Sequence, residues 1–178
     1  MNLASHHTKN SDIAIIGIAG KYPQADSPDE LWHHILTNKN LASSYDEEIK
    51  QGFVDKYFAI DRVGHFDHKR FKFTPLEAEL TDPQHRILLT CTYRALLDAG
   101  YLAEPPHLKF GVFATTSLSS YLLNVLLESK HYKKNEINYP ILIGNDKDFL
   151  ATKISYKFNF TGPALTIQCA CSSSLVAL

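Results

Sequence analysis

The chain has 178 residues, 44% apolar and 21% charged, with a formal net charge of −1 and three cysteines. That composition supports roughly one globular domain with a sizeable core and excludes a disordered or fibrous chain. The near-neutral charge gives no general reason to bind nucleic acid or an anionic membrane, and the apolar runs fall far short of the roughly 20 residues that span a bilayer.

Residues 1–11 are polar, with His6, His7 and Lys9 and no apolar run of the kind a secretory signal needs, so they are expected to form a flexible tail. Asp12-Ile13-Ala14-Ile15-Ile16-Gly17-Ile18 is nearly continuous in β-branched apolar residues, which predicts a central strand covered on both faces. Gly17-Ile18-Ala19-Gly20 follows it without the spacing of a phosphate-binding loop. Ser27-Pro28-Asp29-Glu30 carries a capping serine, a proline at the first helical position and acids in the first turn, predicting a helix to about Asn38. From Asn38 to Asp67 the chain is charged and glycine-punctuated, with apolar islands at Phe53-Val54, Tyr57-Phe58 and Val63; it reads as a surface connection.

Asp82-Pro83-Gln84 opens the strongest helix signal, closed by Gly100 after Ala99. Leu88, Cys91, Ala95 and Ala99 share one face, and Arg86, Thr90, Arg94 and Asp98 form a narrow polar stripe with an Arg94–Asp98 pair. Pro105-Pro106 marks a turn and Phe110 to Ala114 a second buried strand. Ser117 or Ser119 is placed to cap a helix through Tyr121, Val125 and Leu126. Lys130 to Asn138 reads as a polar loop, Asp146 to Tyr156 as a helix, Thr161-Gly162-Pro163 as a turn, and Ala164 to Cys169 as a strand. The alternation of strand and helix defines an α/β domain.

Chemistry concentrates after that last strand. Cys171 stands among small residues where a strand turns into a helix, a position whose unpaired N–H groups and helix dipole favour a thiolate and leave room for a substrate carbonyl. Three cysteines do not make a disulfide framework, and the odd count fits a reducing compartment, hence the cytoplasm. Cys169-Ala170-Cys171 is a Cys-x-Cys pair that could be half of a metal site or a redox couple, but no second pair at zinc-ligand spacing accompanies it. Cys91, inside the long helix, is expected to be inert packing. Of the nine histidines, His33 and His34 share one helix, His65, His68, His107 and His131 fall in loops, and His85 starts the long helix in a capping or packing role. Their positions imply no shared pocket.

Together these residues resemble a known family. Ala170-Cys171-Ser172-Ser173-Ser174-Leu175 resembles the active-site signature of β-ketoacyl synthases, in particular the ketosynthase domains of modular polyketide synthases. Ile13-Ala14-Ile15-Ile16-Gly17 with Ala19-Gly20 and Tyr22-Pro23, Phe66-Asp67, Pro75-Leu76-Glu77-Ala78-Glu79, Asp82-Pro83-Gln84-His85-Arg86, Gly111-Val112-Phe113, Gly144-Asn145-Asp146, Ile154-Ser155-Tyr156 and Gly162-Pro163 follow the family pattern in order. Gln168 stands where many members carry aspartate and others glutamine, and Cys169 where threonine is usual. On a regular strand Cys169 points away from its neighbour and is expected to pack rather than react.

The resemblance implies the N-terminal half of a thiolase-like fold with layered α/β/α architecture. Residues 12–178 would then be an incomplete β-ketoacyl synthase N-terminal domain that stops within the helix after the nucleophile. It implies that Cys171 is the catalytic residue, taking an acyl group from the phosphopantetheine arm of an acyl carrier protein before decarboxylative condensation with a malonyl-type extender. No cofactor or metal bound directly is implied. A homodimer of the complete protein is implied, because the family places the strand before the nucleophile at a two-fold interface. The thiol does not carry such chemistry alone: an oxyanion hole contributes ~10²–10³ in rate and general acid–base help ~10²–10⁴. The family's two histidine runs, His-Gly-Thr-Gly-Thr and Asn-Ile-Gly-His, are absent from these 178 residues. The alternative reading is therefore a noncatalytic dimerising or binding module, or a split partner, derived from a ketosynthase.

Overall fold

A computed structural model describes residues 13–44, 54–102, 108–132 and 138–178. The expected tail, the Pro105-Pro106 turn, Phe53 and His107 lie outside the described residues. The elements are α1 (Pro28–Leu36), β1 (Ser43–Ser44), β2 (Lys56–Tyr57), α2 (Pro75–Leu80), α3 (Pro83–Asp98), β3 (Val112–Ala114), a π-helical turn Leu122–Leu126, α4 (Tyr139–Asn145), a 3₁₀ turn Lys147–Phe149, α5 (Leu150–Phe158), β4 (Ala164–Thr166) and α6 (Ser173–Ala177).

The helix starts are set by the side chains that cap them. The Ser27 hydroxyl accepts from Glu30 N–H at 3.1 Å and Pro28 begins α1, as the sequence predicts. The helix stops at Leu36, because Asn38 adopts a left-handed φ of 52°. Asp82 accepts from Gln84 N–H at 2.7 Å to start α3, and Gly100 closes it at φ 75°, where a side chain would be strained. Two helices have no counterpart in the sequence reading. In α2 the Thr74 hydroxyl accepts from Glu77 N–H at 3.1 Å while Glu77 accepts from Thr74 N–H at 2.7 Å, a reciprocal capping box. Asn138 caps α4 by accepting from Ile141 N–H at 3.2 Å, so the predicted polar loop ends in a helix start.

β3 and β4 pair in parallel with Val112 opposite Ala164, Phe113 opposite Leu165 and Ala114 opposite Thr166. The crossover between them contains α4 and α5. Gly162 is required at the entry to β4, because a Cβ there would run into the Phe110 carbonyl. One face of this short sheet meets the core formed by Phe71, Phe73, Ala78, Leu89, Ala114, Leu150, Ala151 and Ile154. A smaller cluster, Leu80, Leu126 and Ile141, joins α2 and α4 to the π-helical turn.

Several expectations are corrected. Residues 13–18 form no strand, and Ile13 and Ile15 are 91% and 82% exposed. The segment lies along α3 instead, with Ile18 N–H donating to the Asp98 carboxylate at 2.9 Å, and no strand among the described residues pairs with it. The Phe110–Ala114 strand is shorter than expected and covered on one face only, Phe113 being 50% exposed. The final strand stops at Thr166 rather than Cys169. On α3 the buried positions are His85, Arg86 and Leu89, while the expected apolar face is half-buried. Arg94 and Asp98 do not pair: Arg94 donates to the Asp26 carbonyl at 2.8 Å and Asp98 accepts from Ile18. Helical periodicity ranks faces by polarity, but packing by α5 and the neighbouring loops decides which face is enclosed.

Candidate active site

Cys171 is presented by a turn that the backbone alone does not favour. After β4, Ile167 N–H donates to the Ala114 carbonyl at 2.8 Å, extending the strand contact by one residue. Ala170 then takes a left-handed φ of 50°. That conformation costs a non-glycine residue ~1–2 kcal/mol, so the surroundings must hold it. Ser173 does so: its buried hydroxyl accepts from Cys169 N–H at 2.7 Å and donates to the Ala170 carbonyl at 2.8 Å. The Ser172 hydroxyl adds a bond to the Cys169 carbonyl at 2.8 Å. A 3₁₀ turn over Ala170–Ser172 leads into α6, and Cys171 is exposed at its centre.

The start of α3 buttresses this turn from outside. The Gln84 side-chain oxygen accepts from the Thr116 hydroxyl (2.8 Å), Ser117 N–H (3.1 Å) and the Ser117 hydroxyl (2.8 Å), fixing the loop after β3. The Thr116 carbonyl in turn accepts from the Gln168 amide at 3.2 Å. A continuous path therefore runs from the Asp82 cap through Gln84 and Thr116 to the residue before Cys169. Asn145 performs a similar task nearby: its buried amide donates to the Leu80 and Ile141 carbonyls at 2.7 and 2.8 Å and accepts from Ser119, the serine that also receives Leu122 N–H. Ser119, rather than Ser117, is thus the cap in this region.

None of the described histidines hydrogen-bonds to the Cys171 turn, and four of them have partners elsewhere. His34 is buried on α1 with its Nε2 3.3 Å from Lys39 Nζ, His68 Nδ1 lies 3.0 Å from the Phe73 carbonyl, and His131 is 3.4 Å from Glu79. His85 is 1% exposed, with Nδ1 3.1 Å from Lys153 Nζ. Burial, reinforced by Lys153, pushes its pKa down to about 4 against the opposing pull of Asp82 and Asp146. The sequence expectation of packing over catalysis matches this placement.

The thiols divide differently than expected. Cys91 is partly enclosed, and burial pushes its thiol up, consistent with inert packing. Cys169, expected to pack, is exposed like Cys171, because the strand ends three residues before it and the regular alternation no longer applies. Among the described residues no group of three or more His, Cys, Asp or Glu side chains is placed to hold a metal. The sequence reading missed Ser173 and Gln84 as positioning residues. The Ser172-Ser173-Ser174 run and the glutamine two residues after a capping aspartate are the signals that point to them.

A mixed α/β chain with a thiol just after a left-handed residue, between a parallel strand and a helix, matches the N-terminal part of the thiolase-like fold of solved ketosynthases. Residues 10–178 match the β-ketoacyl synthase N-terminal domain, and the chain belongs to that family. The solved ketosynthase from module 1 of the bacillaene synthase of Bacillus amyloliquefaciens superposes with a TM-score of 0.75 at 30% identity, covering 92% of this chain and 28% of that one. The module 6 ketosynthase of the bacillaene synthase of Bacillus subtilis gives 0.74 at 32% identity, covering 92% and 27%. A component of the phenolphthiocerol/phthiocerol polyketide synthase of Mycobacterium tuberculosis is 38% identical over 188 residues, which cover 93% of this chain and 12% of that protein. The citrinin polyketide synthase of Monascus ruber is 34% identical, over 93% of this chain and 6% of that protein. The chain thus spans about an eighth or less of these curated relatives. No helix among the described residues is long and apolar enough to cross a membrane.

Proposed function

We propose that this chain supplies the acyl-accepting part of a β-ketoacyl synthase in polyketide or fatty-acid assembly, with Cys171 as the nucleophile. The Cys171 thiolate attacks the carbonyl of an acyl thioester; the new C–S bond forms as the bond to the phosphopantetheine sulfur breaks, and the proton that Cys171 gave up ends on the departing carrier sulfur. The Cys171 N–H serves as one oxyanion donor. The observation that carries this reading is an exposed thiol on a turn that Ser173 holds at positive φ, within a chain of this family. The acyl carrier protein is the partner that delivers the substrate, the complete protein acts as a cytoplasmic homodimer, and the two histidines for condensation come from residues outside this sequence.

Incubation with an acyl N-acetylcysteamine thioester followed by intact and peptide mass spectrometry tests the assignment. One acyl adduct on Cys171, lost in Cys171→Ala, is expected. An adduct that survives that substitution and maps to Cys169 or Cys91, or none on the folded protein, overturns it.

A further inference from the structure

A second site lies away from Cys171. Between α2, α4 and α5 there is a cavity of about 520 Å³, walled by Phe73, Tyr139, Ile143, Phe149 and Tyr156 and reached by Lys153. That volume falls within the range of small-molecule pockets, about 300–1,000 Å³. Its chemistry is unbalanced. The Lys153 ammonium has one hydrogen-bonding partner among the described residues, the neutral ring of His85 at 3.1 Å, and no carboxylate among them within ion-pairing distance.

The nearest alternatives are committed. The Glu77 carboxylate, also at the cavity wall, is turned to Thr74 N–H in the capping box. Lys157, one helical turn beyond Lys153, donates to the Lys72 carbonyl at 2.9 Å and lies 3.8 Å over the Phe73 ring. Asp82 caps α3. Burial and the like charge of Lys157 hold the Lys153 pKa down to about 8 against the pull of Asp82, so the group is largely charged at neutral pH, with no carboxylate among the described residues in ion-pairing contact. A half-buried cation at the foot of a groove whose walls include the exposed Tyr139, Ile143 and Tyr156 matches a ligand with one negative head and an apolar tail. A phosphate would find one uncommitted cation and no cluster of donors among the described residues of this wall.

We propose that this cavity binds an amphipathic carboxylate of the medium-chain fatty acid type, with its head on Lys153 and its tail against Phe73, Ile143, Phe149 and Tyr156. The site is independent of Cys171 and of the acyl-transfer reading.

Calorimetric titration of the full chain at pH 7 with sodium octanoate, and separately with the neutral 1-octanol, tests the proposal. Octanoate is expected to bind at least about tenfold more tightly than octanol, as a charge-assisted hydrogen bond allows. Lys153→Met should abolish that preference while keeping octanol binding. Ile143→Trp, which fills the cavity, should weaken both ligands, and it decides the matter if circular dichroism shows that Lys153→Met fails to fold. Equal affinity for the two ligands, no binding of either, an unchanged preference in Lys153→Met, or undiminished binding to folded Ile143→Trp overturns the proposal.

Discussion

His85 makes the stability of this fold depend on acid in a way that can be calculated. Its pKa in the folded chain is about 4 against an ordinary 6.5, because burial and the Lys153 ammonium both oppose a second charge. The unfolded chain therefore binds the proton first as pH falls, and protonation pulls the equilibrium toward unfolding. The neutral ring is fully tolerated above pH ~6.5, and stability is lost progressively as the pH drops toward ~4. At 1.36 kcal/mol per unit, the 2.5-unit displacement amounts to about 3 kcal/mol when the loss is complete, of which about 2 kcal/mol is gone by pH 5. Urea unfolding of the wild-type chain and of His85→Asn between pH 7 and 4 isolates this contribution. The carboxylates that also titrate are common to both proteins and cancel in the difference. Asparagine retains an acceptor for Lys153 near the position of Nδ1 but has no titration in this range. The wild type should lose about 2 kcal/mol more than the variant between pH 7 and 5. Parallel stability profiles across that interval would show that His85 is not held neutral by its surroundings, and would refute the reasoning.

Gly144→Ala places a Cβ 2.6 Å from the Leu80 carbonyl and 3.2 Å from Thr81 Cα, both backbone atoms that cannot swing aside. Because the Gly144 carbonyl also receives Asp82 N–H at 3.0 Å, the shift reaches the cap of α3; a loss of about 1–3 kcal/mol is expected in chemical denaturation. Thr74→Ala removes one arm of the α2 capping box and should cost about 1 kcal/mol by the same assay, whereas Thr74→Ser should retain most of it. Ser173→Ala breaks both bonds that hold the Ala170 turn; it should lower stability by about 1–2 kcal/mol and slow acylation of the intact Cys171 in timed mass spectrometry. An unchanged acylation rate would show that Ser173 does not position the thiol.

Much of the architecture was legible because it is written in local chemistry. Ser27-Pro28 and Asp82-Pro83 satisfy the orphan N–H groups of a helix start wherever that helix packs, so α1 and α3 begin where the sequence places them. The Thr161-Gly162-Pro163 turn needs only a missing Cβ and a fixed φ. The small-residue block around Cys171 carries the family assignment through the order of its neighbours. The same local rules apply to Thr74…Glu77 and Asn138…Ile141, where the capping signals are present and α2 and α4 follow from them.

What the tertiary structure alone decided concerns long-range partners. An apolar run such as Ile13 to Ile18 states that its side chains avoid water, but pairing requires a second strand, and the described residues set this backbone against α3 instead. A polar stripe on α3 does not reveal that Arg86 is enclosed, or that Arg94 and Asp98 turn to Asp26 and Ile18 rather than to each other. His85 and Lys153 are 68 residues apart, and Gln84 meets Thr116 across 32. Capping and turn preferences depend on a few neighbouring atoms and are encoded residue by residue. Burial, perturbed pKa values and the Gln84 buttress arise only after distant segments are packed together, because each depends on which groups displace water.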